Sequence, residues 1–580
     1  MRFMALPLVV CIALGATGTS HAQQIALITN VAGRTTTSLN GAWQSIVDPY
    51  ETGFYDYRYR PRTDGFFQAR TPRDRSDLVE YDFDASPRLH VPSDWNSQDE
   101  RLFLYEGTVW YRRVFDYPLQ PGARLFVHFG AANYEAHVYL NGTELGSHEG
   151  GFTPFNFEIT ELVRAEGNSL VVKVDNTRRL DAVPTVNTDW WNYGGLTRDV
   201  TLIELPATFV RDYVLQLAPG STERIAGWVQ LDGPAAAGRE VTVRIPEAGV
   251  ETTVRADADG RARIGIRADL DLWSPADPKL YDVEVAAADD RVSDRIGFRS
   301  IATRGTDILL NGEPVFLRGV CMHEQAPKRD GRANGREDAR TLLEWVKELG
   351  GNFVRLAHYP HNESMVRMAD ELGLLVWAEV PVYWTIQWEN DVTLANARRQ
   401  LSEMITRDRN RAAVILWSMA NETPPSDARL TFLQALARRA RELDPTRLIT
   451  AALELDYRLE DGVLSIDDPF GRDLDVLAVN EYLGWYTGPP QLADSVRWQS
   501  TYDKPLIVSE FGAGALQGYH ADARTRWSEE YQASVYRHQV AMLRRIPFLR
   551  GVTPWILTDF RSPRRLLPGI QDFWNRKGLI

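Results

Sequence analysis

Two glutamates stand at matching places in this chain. Glu422 closes the apolar run Trp417-Ser418-Met419-Ala420-Asn421, and Glu510 closes Ile507-Val508-Ser509. Carboxyls at the ends of two buried-type runs can face each other across a cleft. One then protonates a leaving oxygen while the other attacks the adjoining carbon or activates water, the chemistry that breaks a glycosidic bond. A lone glutamate at such a place would more often bond a helix N-terminus, so the matched pair carries the reading. Similar run ends carry His323, Arg355, His358 and Tyr482, with Trp555 inside the last run. A guanidinium beside one carboxyl lowers its pKa and holds it ionised, leaving the other free to keep its proton. Trp555 offers an apolar face to a sugar ring, and the histidines and Tyr482 offer partners for hydroxyls.

These groups need a frame that gathers strand ends at one mouth. After about residue 305, apolar runs alternate with amphipathic stretches: Val315–Val320, Asn352–Ala357, Leu374–Val380, Val414–Met419, Leu448–Leu453, Val476–Asn480, Leu506–Ser509 and Val552–Leu557. Eight such runs predict a (β/α)8 TIM barrel, whose active site lies at the C-terminal ends of its strands, with the fourth and seventh on opposite sides. A doubly wound open sheet would place a glycine-rich phosphate loop after its first strand, and none follows here. Upstream, Ala136-His137-Val138-Tyr139-Leu140 alternates before Asn141-Gly142, a tight hairpin signal, and Leu170–Val174 reads as another strand. Short strands of this kind predict a jelly-roll-like β-sandwich over 23–205. Pieces such as Val241–Ile245 predict a smaller, immunoglobulin-like β-sandwich over 206–300, ahead of the barrel at 301–580. The chain stops soon after its eighth run, where a barrel helix would follow, so the last helix is expected to be missing.

Length and composition agree with several domains: 580 residues, 44% hydrophobic and 25% charged. Lys plus Arg number 65 against 78 Asp plus Glu, a balance of −13 that repels polyanions and argues against nucleic acid; an acidic polysaccharide would need a local basic cluster to overcome it. Arg2, the apolar stretch Phe3–Ala16 and Ser20-His21-Ala22 predict a signal peptide over 1–22, hence an exported protein, periplasmic or secreted. That run is too short for a membrane anchor. Cleavage would remove Cys11 and leave Cys321 without an intrachain partner. His358 and His361 have no further ligand cluster nearby, so no metal and no cofactor are expected.

Asn421-Glu422, Ser509-Glu510-Phe511-Gly512 and Arg355-Leu356-Ala357-His358-Tyr359-Pro360 resemble the motifs of family 2 glycoside hydrolases. The likeness extends upstream to Val91–Asn96, Tyr105-Glu106-Gly107 and Trp191–Arg198. It implies a sugar-binding sandwich, an immunoglobulin-like sandwich and a catalytic barrel, with retention of anomeric configuration, Glu422 as acid/base and Glu510 as nucleophile. It further implies that Asn421 bonds the 2-hydroxyl and that Tyr482 sits beside the nucleophile. Among family members, Asn575-Arg576-Lys577 resembles the Asn-x-Lys pair with which β-glucuronidases grip the uronate carboxylate. Asp189 resembles an acidic residue reaching the site from the first domain, and Asn480, Tyr482 and Tyr486 match the segment after strand six. Gln571 departs from the pattern, standing where those enzymes tend to place a basic residue, so galacturonides and neutral β-galactosides stay open as substrates. The connection Tyr383–Leu394 is short and leaves room for glycan chain ends as well as small conjugates. Family members often form homo-oligomers, and no residue here sets a number. Outside this class, a non-catalytic carbohydrate-binding protein would have no use for both glutamates.

Overall fold

The computed structural model describes residues 26–77, 79–457 and 462–580; the expected signal peptide lies outside them. In the first sandwich, Thr36–Ser38, Val200–Pro206, Ala123–Phe129 and Phe155–Glu158 form one antiparallel sheet. A second, six-stranded sheet has Arg88–Val91 and Thr143–Glu149 at its edges. Alternating side chains of both sheets bury Trp43, Tyr111, Val127, Phe129 and Val172 between them. Asn141 and Gly142 adopt φ values of 54° and 85°, and Leu140 pairs with Thr143, so this dipeptide makes the two-residue turn its sequence predicts. Between Phe209 and Ile296 a three-stranded and a four-stranded antiparallel sheet pack over Tyr213, Val229, Val243 and Val285, a second sandwich.

The third body is a closed parallel barrel of eight strands. They are β1 (Leu317–Met322), β2 (Phe353–Leu356), β3 (Leu375–Glu379), β4 (Val414–Asn421), β5 (Leu448–Leu453), β6 (Leu477–Asn480), β7 (Leu506–Glu510) and β8 (Leu549–Val552). Strands β2 to β7 are buried along their whole length, as strands covered on both faces must be, which is why their sequences read as apolar runs. Five α-helices cover the outside: α1 (Arg336–Glu348), α2 (Glu363–Leu372), α3 (Asp391–Asp408), α4 (Asp427–Leu443) and α5 (Glu529–Leu543), after β1, β2, β3, β4 and β7. Strict alternation fails after β5 and β6. There Pro469, Pro489 and Pro490 open short 3-10 turns, and a parallel pair, Val463–Ile466 with Arg497–Ser500, buries Leu464 and Ile466 against the barrel.

Seven of the expected runs carry strands within two residues of their predicted limits, but the eighth does not. Strand β8 lies at Leu549–Val552, where Val552 pairs with Val508 and with Arg318. The strand ends at Val552, so Trp555 lies beyond it rather than on it, although single backbone bonds continue, from Cys321 N to the Pro554 carbonyl at 3.1 Å and from Trp555 N to the Phe511 carbonyl at 2.9 Å. The segment that follows carries no helix and folds as a small ladder of Phe560–Arg561 with Trp574–Asn575.

Buried charge ties the first sandwich to the barrel mouth. Glu324, just past β1, accepts from Arg332 Nε and Nη2 at 2.8 and 2.7 Å and from Arg198 Nη2 at 3.2 Å. Arg198 also donates to the Pro360 carbonyl at 2.7 Å. Farther along the interface, Trp191 N donates to the Arg561 carbonyl at 3.0 Å, and this anchors the loop that carries Asp189 and Trp190.

Candidate active site

Strand ends build the centre of the mouth. Arg355, from β2, is fully buried. Its Nη1 donates to Glu510 Oε1 at 2.8 Å and to the Ser509 carbonyl at 3.0 Å, while Nη2 donates to Asn421 Oδ1 at 2.6 Å and to Glu379 Oε1 at 3.2 Å. Tyr482 donates its hydroxyl to Glu510 Oε2 at 2.8 Å. Each oxygen of Glu510 therefore has a fixed donor, and the His358 Nε2 lies 3.7 Å from Oε1. Burial lifts the Glu510 carboxyl above its ordinary pKa; the Arg355 guanidinium opposes this, and the charge of Glu422 adds to it. The expected lowering by a neighbouring guanidinium is present as a force but is outweighed by desolvation.

Glu422 sits in different surroundings. It is half-buried, its carboxylate accepts from Trp384 Nε1 at 2.9 Å and from Asn480 Nδ2 at 2.9 Å, and no cation lies within 4.0 Å of it among the described residues. Its backbone takes φ 47°, a left-handed conformation that few non-glycine residues adopt and that turns the side chain out of the strand line. Thus one carboxylate is paired with a cation in a dry site, and its partner is held by two neutral donors beside solvent. The two carboxyls therefore stand in unlike environments, as a division of labour between them requires.

Asn421 and Asn480 lock the space between them. Asn480 also donates to Asn421 Oδ1 at 3.2 Å and accepts from Ser509 Oγ at 2.8 Å. With Asn421 Oδ1 so occupied, its Nδ2 has no partner among the described residues. His358 Nδ1 meets Glu379 Oε1 at 2.8 Å, and the His358 ring stacks on Trp555 at 5.0 Å. His323 bonds the Tyr359 hydroxyl at 3.1 Å and packs on Phe560; burial, then the neighbouring His358, pushes its pKa far down, so it stays neutral. Trp555 is buried among these rings and forms part of the floor.

The remaining expected residues form a second group. Lys577 is 4% exposed, and its Nζ donates to the Tyr486 hydroxyl at 2.8 Å, with the Tyr486 ring 5.0 Å away. No carboxylate lies within 4.0 Å of Lys577 among the described residues. Partial desolvation would raise the phenol of Tyr486, but Lys577 and Arg565 together outweigh it and bring the group below its ordinary value. Tyr482 packs edge-on against Tyr486 at 5.0 Å, and so links Lys577 to the carboxylate that Tyr482 bonds. A cleft of about 240 Å³ is lined by Lys577, Tyr486, Arg565, Asn575, Gln571 and Arg526, among others. Asp189 reaches this region from the first sandwich, yet its carboxylate is taken: Ser562 Oγ donates at 2.6 Å, Asn575 Nδ2 at 3.3 Å, and Arg565 grips both oxygens.

Four residues of the site escaped the sequence reading. Glu379 ends β3 as Glu510 ends β7, while Glu422 stands one residue past β4; burial would raise the Glu379 carboxyl, but Arg355 and His358 pull it below its ordinary pKa, and Trp377 Nε1 donates to it at 2.8 Å. Its place one residue before the end of the third run, Leu374–Val380, was the available signal. Trp384, Trp190 and Arg565 come from loops. Trp190 packs edge-on against Tyr383 at 4.9 Å and lies 5.7 Å from His358, walling the mouth from the first sandwich. Among the described residues no group of three or more His, Cys, Asp or Glu could hold a metal ion, and no helix is long and apolar enough to cross a membrane.

A pair of environmentally distinct carboxylates at the mouth of a closed barrel suits the breaking of a glycosidic bond. Residues 301–563 match the model for the TIM barrel domain of glycosyl hydrolases family 2, and residues 36–206 match the model for the sugar binding domain of the same family. The chain belongs to that family. A β-glucuronidase of Canis lupus familiaris is 30% identical over 557 residues, covering 85% of this chain and 82% of the relative. One from Paenibacillus borealis is 29% identical over 546 residues, covering 85% and 88%. Among solved structures, a β-glucuronidase from Ruminococcus gnavus in complex with D-glucaro-d-lactam superposes with a TM-score of 0.80 at 27% identity, covering 96% of each chain.

Proposed function

We propose that the chain is a retaining exo-β-glucuronidase. The observation that carries this reading is Lys577: a buried ammonium with a tyrosine hydroxyl for company and no carboxylate within 4.0 Å among the described residues. An uncompensated cation away from water is costly, and a site that keeps one is made complete by an anionic ligand. The carboxylate at C6 of a glucuronide supplies that anion, with Tyr486 and Asn575 as further partners. The names of the relatives point the same way.

In the proposed chemistry Glu510 attacks the anomeric carbon while Glu422 gives its proton to the glycosidic oxygen. The bond to the leaving alcohol breaks as the bond to Glu510 forms. Glu422, now ionised, takes a proton from water, whose oxygen attacks the same carbon and frees Glu510. Two inversions give net retention. Arg355 and Tyr482 fix the nucleophile, and Trp384 and Asn480 aim the acid. The free Nδ2 of Asn421 suits the sugar 2-hydroxyl. His323, His358 and Trp555 form the floor beneath the ring.

Proton NMR of the first-formed sugar tests the mechanism: β-glucuronic acid is expected ahead of mutarotation, and an α-anomer would refute retention. We also propose export, supported by Arg2, Phe3–Ala16 and Ser20-His21-Ala22. Recovery of a mature chain starting at Gln23 from the medium or periplasm is expected, and a cytosolic chain retaining Met1 would refute it.

A further inference from the structure

Six cations crowd the mouth of a chain that is acidic as a whole: Arg526, Arg561, Arg564, Arg565, Arg576 and Lys577. Three are neutralised where they stand. Arg561 pairs with Asp330 at 3.3 Å, Arg576 with Asp559 at 3.1 Å, and Arg565 with Asp189. Lys577 answers to the uronate carboxylate under the reading above. Arg526 lies over Trp485, on the Lys577 side. Arg564 lies over Trp384, the residue that holds the carboxyl proposed to protonate the leaving group.

The position of Arg564 is fixed from two directions. Its guanidinium lies 4.5 Å from the ring centroid of Trp384, the residue whose indole N–H holds Glu422 at 2.9 Å. Its Nη1 donates to Asn187 Oδ1, on the loop that the first sandwich lays over the barrel, at 2.5 Å. Arg564 is nevertheless exposed, and no carboxylate lies within 4.0 Å of it among the described residues. An arginine held by a stacking partner and a loop amide has already given up much of its side-chain freedom, and its unused donors make a planar fork suited to a carboxylate or sulfate. The acid must touch the glycosidic oxygen, so whatever leaves passes along Trp384 and meets this fork. The short Tyr383–Leu394 connection leaves that approach open to a sugar as well as to a small aryl group.

We infer that Arg564, set by Trp384 and Asn187, is a specificity-determining residue for the leaving group and favours a sugar that carries an acidic group. The inference rests on the glucuronidase reading and deepens it: the substrate is the uronosyl end of an acidic oligosaccharide, and Arg564 is part of the local basic cluster that overcomes the repulsion of the whole chain.

The test compares three substrates on wild type, Arg564→Ala and Arg564→Lys: 4-nitrophenyl β-D-glucuronide, a β-glucuronosyl disaccharide with a neutral second sugar, and that disaccharide sulfated on the second sugar at either of two positions. Wild type is expected to prefer at least one sulfated form by about three- to tenfold in kcat/KM. Arg564→Ala should bring the sulfated-to-neutral ratio close to one, Arg564→Lys should keep part of it, and raised salt should lower it in wild type. An unchanged ratio in Arg564→Ala, with the aryl glucuronide still turned over, overturns this inference and leaves the glucuronidase reading standing. No turnover of any glucuronide by wild type overturns both.

Discussion

Arg355 Nη1 lies 2.8 Å from Glu510 Oε1, and Nη2 of the same guanidinium lies 2.6 Å from Asn421 Oδ1. One buried cation therefore steadies Glu510, the proposed nucleophile, and also the residue next to Glu422, the proposed acid. Because burial lifts the Glu510 carboxyl and Arg355 opposes that lift, removing Arg355 must raise it further. The acidic limb of the kcat/KM profile, which requires ionised Glu510, should move to higher pH in Arg355→Ala, with kcat down by about 10²-fold or more. Arg355→Lys keeps the charge and should move the limb less. An unmoved limb in both would mean that Arg355 does not act through Glu510.

The two carboxylates can be told apart by external nucleophiles. Either alanine variant should lose roughly 10²- to 10⁴-fold or more in kcat on an unactivated glucuronide. With azide and a dinitrophenyl glucuronide, Glu422→Ala should release the β-glycosyl azide, because a glycosyl-enzyme still forms on Glu510. Glu510→Ala should release the α-azide, by direct attack from the vacated side. The reverse pattern would exchange the assigned roles.

Glu481 lies between Asn480 and Tyr482, the residues that hold the two carboxylates, and its backbone N–H donates to the Glu510 carbonyl at 2.7 Å. Burial pushes its carboxyl up to about 8, against an unfolded value near 4.3. The stability it contributes is complete below about pH 4 and is lost as pH rises through about 8. Relative to Glu481→Gln, wild type should therefore lose on the order of 3 kcal/mol between pH 5 and 8. Thermal midpoints of the two proteins at both pH values, at one scan rate, would show this; parallel curves would contradict it.

Asp189 joins Ser562, Arg565 and Asn575 across the domain boundary. Asp189→Ala should release the Asn575 amide and the Arg565 guanidinium from their shared anchor. The expected result is a rise in KM for aryl glucuronide of roughly tenfold with a smaller change in kcat, since the reacting carboxylates are held by other residues. Equal loss in kcat with KM unmoved would place Asp189 in the chemistry instead.

The barrel and its carboxylate pair were legible because buried strands must be written as apolar runs and their last residues must face the mouth. Glu379 obeyed that same rule at β3 and could have been found by it. Strand β8 is not where its sequence predicts because Thr553–Leu557 is apolar for a different reason: past Val552 the regular ladder gives way to single backbone bonds, and Trp555, Ile556 and Leu557 are buried as packing. Trp384 depends on a loop residue at φ 53° turning back toward Glu422, and Arg565 meets a carboxylate 376 positions away. Neither follows from a local pattern. Lys577 was readable as a motif, but its burial, which separates a ligand-binding cation from a solvated one, came from the packing of Tyr482, Trp485 and Tyr486 around it.

The most direct test of the account is kcat/KM of wild type and Lys577→Ala on 4-nitrophenyl β-D-glucuronide, β-D-galacturonide and β-D-galactoside. The account predicts that wild type prefers the glucuronide over both others and that Lys577→Ala lowers its rate by about 10²-fold or more, erasing its advantage over the galactoside. A wild type that turns over the galactoside as well as the glucuronide, or a glucuronide preference that survives Lys577→Ala, would contradict it.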